Sequence, residues 1–134
     1  MKSNKLLVTG GAGFIGSNFI RYMFQTYPDI AIINLDALTY AGNPDNLTGL
    51  SGRYRYTFCH GDITEGKTVD GILEKGVDAV VNFAAESHVD RSITDPGIFV
   101  RTNVLGTQVL LDGARKFGLK KYLQVSTDEV YGTL

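Results

Sequence analysis

Two adjacent carboxyl residues, Asp128 and Glu129, follow Thr127 in the run Ser126-Thr127-Asp128-Glu129. Carboxyls crowded together in a partly dry crevice repel one another, which raises one pKa and leaves a protonated group beside an ionised one. Such a pair can serve as general acid and general base within one reaction. The same four residues also match a helix start, with Ser or Thr ahead of acids in the first turn. The residue types alone leave both readings open.

Near the other end, Thr9-Gly10-Gly11-Ala12-Gly13-Phe14-Ile15-Gly16 follows a short apolar run and opens a helical pattern. In that context the glycines allow a tight turn, let backbone N–H groups approach a pyrophosphate and let the helix pack closely on a sheet. The helix N-terminus adds partial positive charge where the phosphates would sit. Asp36 closes the next apolar run, where a carboxylate accepts hydrogen bonds from both hydroxyls of an adenosine ribose and repels a 2′-phosphate. The expected cofactor is therefore NAD and not NADP. A glycine-rich turn with no ligand is the bland alternative.

Further residues fall at the ends of other apolar runs. Gly61-Asp62-Ile63 offers an acid and a flat aliphatic side chain for an adenine ring, or Asp62 simply caps the helix that follows. Ala84 and Ala85 are small enough for a ribose and phosphates to pass close to the backbone at a sheet crevice. Thr102 and Asn103 interrupt a long helical pattern and could face solvent or ligand. Arg91 and Arg101 could reach a ligand or solvate a loop, and Tyr40 and Asn43 read as residues that shape the loop after Asp36.

The elements that must position these residues alternate along the chain. Apolar runs at Lys5–Thr9, 31–35, 54–59, 79–83 and 122–126 read as strands, and patterns over 14–24, 64–75 and 95–117 read as helices. Helices alternating with continuous apolar strands predict an α/β, doubly wound parallel sheet of the Rossmann type with about five strands. The chain stops soon after the fifth run, which leaves an apolar edge strand bare. Residues 1–134 are therefore expected to be one domain, truncated after its fifth strand.

Composition narrows the class. At 134 residues with 43% hydrophobic and 20% charged residues, the chain fits one globular core and excludes a disordered tail, a collagen-like repeat or a coiled coil. Thirteen Lys and Arg against fourteen Asp and Glu leave a net charge of -1, which offers no footprint for nucleic acid or anionic lipid. The longest apolar stretch, residues 6–20, is broken by Gly10, Gly11, Gly13 and Gly16, so no membrane span is expected. Cys59 is the one cysteine, so no internal disulfide and no Cys/His metal cluster is expected. A cytoplasmic protein fits these features.

Gly10-x-x-Gly13-x-x-Gly16 resembles the extended short-chain dehydrogenase/reductase family, whose members act mostly on nucleotide sugars. Asp36-Ala37-Leu38-Thr39-Tyr40-Ala41-Gly42-Asn43, Ala84-Ala85-Glu86-Ser87-His88-Val89-Asp90-Arg91-Ser92 and Ser126-Thr127-Asp128-Glu129-Val130-Tyr131-Gly132 are similar to its 4,6-dehydratase branch. The similarity covers only the cofactor-binding part of such an enzyme and leaves its C-terminal substrate domain absent. The resemblance implies an NAD contact set of Gly10, Gly13, Phe14, Ile15, Gly16, Asp36, Ala37, Leu38, Thr39, Asp62, Ile63, Ala84, Ala85, Glu86, Ser87 and Thr102. It further implies substrate contacts at Ser87, His88 and Thr127, and no metal.

The implied reaction converts dTDP-glucose to its 4-keto-6-deoxy product in three steps: C4 oxidation by NAD, loss of water across C5 and C6, and hydride return to C6. By resemblance Asp128 is the acid, Glu129 the base, and Thr127 bonds the C4 oxygen. The family's C4 base is the Tyr of a Tyr-x-x-x-Lys pair, which these residues do not contain. The isolated chain is accordingly expected to bind cofactor without turning over, and the full-length protein to be a homodimer. The alternatives are a nucleotide-sugar 4-epimerase, a UDP-sugar 4,6-dehydratase, and a non-catalytic dinucleotide-binding module.

Overall fold

The structure, a computed structural model, describes residues 4–50 and 52–132. Five strands, β1 (Lys5–Thr9), β2 (Ala31–Asp36), β3 (Tyr56–His60), β4 (Ala79–Asn82) and β5 (Lys121–Gln124), form one parallel sheet in the order β3-β2-β1-β4-β5. Successive residues of a strand point to opposite faces, and both faces here are packed, which is why the sequence reads as unbroken apolar runs. Leu7, Ile33, Leu35 and Val80 enter one core, and Val8 and Ile32 enter the other.

Helix α1 (Phe14–Thr26) closes the second core with Ile20 and Phe24, joined by Leu47 and Leu50 from the segment around the 3-10 turn Pro44–Leu47. Helix α2 (Gly66–Leu73) supplies Val69, Ile72 and Leu73 to the first core. The chain travels outward from β1 through β2 to β3, then returns across the sheet to β4 and β5. Strand order thus reverses between β1 and β4, the position where open α/β sheets bind ligands beyond their carboxyl ends.

The helical pattern expected over 95–117 is divided. After a separate short helix α3 (Val89–Thr94), α4 (Pro96–Phe99) starts with Pro96 in its first turn and with Asp95 Oδ1 accepting the Ile98 N–H at 3.4 Å. Val100–Gly106 is then π-helical before α5 (Thr107–Lys116), which brings Leu110 to the first core. Gly106 crosses directly over Ile63, whose Cδ1 would lie 2.5 Å from a Cβ there. Strand β3 starts at Tyr56 and not at Tyr54, because Arg55 takes a positive φ of 71° and turns the chain. Strand β5 ends at Gln124, its last pairing with Asn82. Leu123 shares a face with buried Val81 yet is 55% exposed, so the cover supplied by α1 runs out at β5.

Candidate functional site

Strand β1 ends in a turn whose backbone is held from three sides. Gly10 has φ +69°, and a Cβ on it would lie 2.7 Å from the Ala84 nitrogen and 2.9 Å from the Ala84 Cα, both backbone atoms. Its N–H bonds the Leu35 carbonyl at 2.9 Å. The Gly11 N–H donates to Asn34 Oδ1 at 3.1 Å, and the Ala12 N–H donates to Asp36 Oδ2 at 2.8 Å. Gly16 is buried where a Cβ would collide with the Gly10 carbonyl oxygen, so the helix packs tightly onto its own turn. Gly13 caps α1 with extended backbone and no side-chain cap. The first-turn N–H groups of Phe14, Ile15 and Gly16 have no intrahelical acceptor, which makes this end of α1 a set of open donors.

One cleft at the β1/β4 reversal gathers Gly10, Gly13, Asp36, Ala37, Thr39, Asp62, Ile63, Ala84, Ala85, Glu86 and Thr102, all expected from the sequence. Leu35, Ala41, Gly42 and Phe83 line it as well and had no role assigned. Gly42 carried a readable signal: a Cβ there would lie 2.9 Å from Asp36 Oδ1, so the loop after β2 needs a glycine to fold back over the acid. The lining contains the carboxylates Asp36, Asp62 and Glu86 and neither Lys nor Arg. An anionic group entering it would rely on the backbone donors of the glycine turn.

Other expected residues lie elsewhere. Phe14 and Ile15 present side chains 80% and 63% exposed and outside the cleft lining, with their N–H groups at the open end of α1. Leu38 takes a positive φ of 52° and packs against the α1-side core, while its N–H donates to Asp36 Oδ1 at 2.8 Å. Ser87 and His88 are exposed at the start of α3, outside the cleft lining.

Asp36 is buried, and each of its oxygens accepts one backbone N–H, from Ala12 and from Leu38. A carboxylate oxygen carries a second lone pair, so both can still accept from a ligand hydroxyl. Asp62 does not cap α2, whose N-cap is Glu65, because its carboxylate is engaged one turn earlier. Its Oδ1 accepts from the Thr64 N–H and hydroxyl, both at 2.8 Å, which caps the turn before α2, and the residue also lines the cleft.

Glu86 is held by a residue the sequence left undecided. The Glu86 N–H donates to Asn103 Oδ1 and the Asn103 amide donates to the Glu86 carbonyl, each at 2.8 Å, which ties the loop after β4 to the π-helical segment. π-helical turns recur at functional sites, and here Thr102 in that segment lines the cleft. Glu86 Oε2 is buried and has no hydrogen-bond partner among the described residues. An unpaired buried acceptor in a cleft wall fits a ligand that brings donors.

A polar ladder runs under the cleft. The Thr9 hydroxyl donates to Asn82 Oδ1, the Asn82 amide donates to Gln124 Oε1 at 2.9 Å, and the Tyr122 hydroxyl donates to the same oxygen at 2.8 Å. Burial pushes the Tyr122 hydroxyl up to about 12. Beyond β5, Thr127 leads into the 3-10 turn Asp128–Tyr131 without a side-chain cap bond. Thr127, Asp128 and Glu129 are all exposed and do not line the cleft. Among the described residues no dry crevice encloses these acids, and the Glu129 shift runs downward. The Thr127 hydroxyl, then the Glu129 backbone and the Asp128 side chain, hold the Glu129 carboxyl below the usual carboxylate range. At this exposed site desolvation is the smallest of the causes, and hydrogen bonds to the ionised form prevail.

Among the described residues, no group of three or more His, Cys, Asp and Glu could hold a metal ion, and no helix is long and apolar enough to cross a membrane.

The reversed parallel sheet, the glycine turn between β1 and α1 and the crevice at the β1/β4 switch define a Rossmann-type α/β domain. The chain belongs to the GDP-mannose 4,6 dehydratase family, whose sequence model matches residues 7–134. It is 56% identical over 133 residues to a dTDP-glucose 4,6-dehydratase of Streptomyces griseus, covering 96% of this chain and 39% of that protein. It is 54% identical to the low-salt glycan biosynthesis protein Agl12 of Haloferax volcanii, covering 96% and 41%. The crystal structure of DesIV, a dTDP-glucose 4,6-dehydratase from Streptomyces venezuelae with NAD and TYD bound, superposes with a TM-score of 0.90 at 52% identity, covering 97% of this chain and 41% of that one. The chain therefore spans about two-fifths of the length of these relatives.

Proposed function

We propose that residues 1–134 are the NAD-binding domain of a lyase that converts dTDP-glucose to dTDP-4-keto-6-deoxyglucose. The reading rests on one observation. Thr127, Asp128 and Glu129 emerge exposed from the carboxyl end of β5, beside β4, whose own carboxyl end runs into the cleft-lining residues Ala84, Ala85 and Glu86. A relative that only inverts C4 has no use for an acid and base pair at that position.

The cleft suits a dinucleotide. Asp36 offers lone pairs to an adenosine ribose, Asp62 and Ile63 flank the base, the glycine turn at Gly10 and Gly13 and the open donors at Phe14, Ile15 and Gly16 receive the pyrophosphate, and Glu86 with Thr102 meets the nicotinamide half. Ala37 and Thr39 line the same cleft, and family likeness adds Leu38 and Ser87, which flank it. Bound NAD supplies a hydride acceptor that later becomes the donor. Around it, the Thr127 hydroxyl, whose one proton bonds Glu129 in the free domain, turns to the C4 oxygen when the sugar binds, Ser87 and His88 orient the sugar nucleotide, Glu129 in its ionised form takes the C5 proton, and Asp128 protonates the departing C6 hydroxyl. The depressed Glu129 pKa favours the ionised form a base requires.

These residues lack a Tyr-x-x-x-Lys pair, so C4 oxidation requires groups that they do not contain, and the isolated domain is expected to bind NAD without turnover. Exposed Val100, Val104 and Leu111, spaced along one stretch of helix, support a homodimer of the whole protein. In the complete protein, exchanging Asp128 for Asn and Glu129 for Gln is expected to stop water loss while C4 oxidation continues. Unchanged formation of the dehydrated product refutes the assignment.

A further inference from the structure

The two walls of the cleft come from segments distant in sequence. Thr39, Ala41 and Gly42 line it from the loop after β2, and Ala84, Ala85 and Glu86 line it from the loop after β4. Tyr40 stands between the first two, half exposed at the rim. The Arg91 guanidinium carbon lies 4.1 Å from the centre of the Tyr40 ring, within the range of a cation–π contact. The His88 ring meets the same tyrosine edge-on, with centroids 6.3 Å apart. Arg91 is fixed in turn by α3, where its N–H bonds the His88 carbonyl at 3.0 Å. No carboxylate pairs with Arg91 among the described residues, where the ion pairs are Arg115–Asp112 and Lys116–Asp70. Arg91 is half-buried as a residue, and the contact recorded for its guanidinium is the Tyr40 ring face it covers.

We propose that Tyr40 and Arg91 form a clasp joining the two walls at the rim of the cleft, and that this clasp slows the departure of a bound dinucleotide. The contact bridges the loop on the ribose side, anchored by Asp36, to the loop on the Glu86 side, anchored by Asn103. Each loop is tied down by its own hydrogen bonds, and the clasp is the side-chain contact that joins one loop to the other. A cofactor recycled within each turnover gains from slow release, because a site that empties between cycles must reload before it can act again. The inference rests on the reading that this cleft takes a dinucleotide.

The test uses the complete protein loaded with labelled NAD and chased with excess unlabelled NAD. Tyr40→Leu and Arg91→Gln are each expected to release NAD faster by about threefold to thirtyfold, the range over which a cation–π pair contributes. The double variant is expected to release it no faster than the quicker single variant, since each change breaks the same contact. Tyr40→Phe keeps the ring face and is expected to release at the parent rate, which guards against loss through misfolding. Parent-like release from both Tyr40→Leu and Arg91→Gln overturns the clasp while leaving the dinucleotide reading intact. Acceleration by Arg91→Gln alone also overturns it, because Arg91 would then act through its charge and not through the ring. Failure of the unmodified protein to bind NAD overturns the dinucleotide reading, and the clasp with it.

Discussion

Replacing Gly10 with alanine acts on two costs that add. The residue sits at φ +69°, and an L-residue in that region costs about 1–2 kcal/mol. The new Cβ would lie 2.7 Å from the Ala84 nitrogen and 2.9 Å from the Phe83 carbonyl carbon. These are backbone atoms leaving β4, which cannot rotate away as a side-chain tip can, so overpacking adds about 1–3 kcal/mol. The stiffer unfolded chain returns about 0.4–1 kcal/mol. The net expectation is a loss of about 1–4.6 kcal/mol, set against the 5–15 kcal/mol typical of a domain. Urea unfolding of the complete protein followed by circular dichroism measures it, with Gly13→Ala as the control. Gly13 has φ −75°, and a Cβ there meets only the Gly10 oxygen at 3.3 Å and the Ala41 oxygen at 4.0 Å. Gly13→Ala should keep stability within about 1 kcal/mol yet weaken NAD binding, since its methyl stands in the cleft. Equal stability losses for the two variants, or none for Gly10→Ala, would refute the division of labour between the glycines.

Three further outcomes follow from the site. Asp36→Asn turns one of two acceptors toward an N–H donor, so NAD affinity should fall about tenfold, and discrimination against NADP should shrink, both read by titration calorimetry. Because the Thr127 hydroxyl helps hold Glu129 ionised, activity that needs the ionised form is present above the Glu129 pKa and lost as pH falls through it. Thr127→Val should therefore shift the acid limb of the kcat/KM profile of the complete enzyme to higher pH, and an unmoved limb would count against the contact. The Tyr122 hydroxyl, raised to about 12, favours the folded state below pH 10 and loses that contribution as pH rises toward 12. Burial raises Tyr56 as well, so ultraviolet titration should show late-ionising tyrosines, one of which disappears in Tyr122→Phe.

Strands β1 to β4 and the glycine turn were legible because local pattern and tertiary burial ask for the same residues there. Asp36 was legible as a cleft residue because an acid ending an apolar strand lies at the carboxyl end of the sheet, but its bracing of Ala12 and Leu38 was not. The helix over 95–117 misled because periodicity registers an apolar face and not hydrogen-bond spacing. Its π-helical segment is imposed by partners distant in sequence, Glu86 on Asn103 and Ile63 under Gly106. Asn34 was invisible for the reverse reason, as a polar residue inside an apolar run that holds Gly11 and meets Tyr56. The acids Asp128 and Glu129 were found by type, but their exposure was not, since burial beyond β5 depends on what packs there and not on the residues themselves.

The most direct measurement is mass spectrometry of the product formed when the complete protein meets dTDP-glucose in the presence of NAD. A sugar nucleotide lighter by one water is the expected result. A product of unchanged mass with inverted C4 would contradict the dehydratase reading and remove the acid and base roles from Asp128 and Glu129.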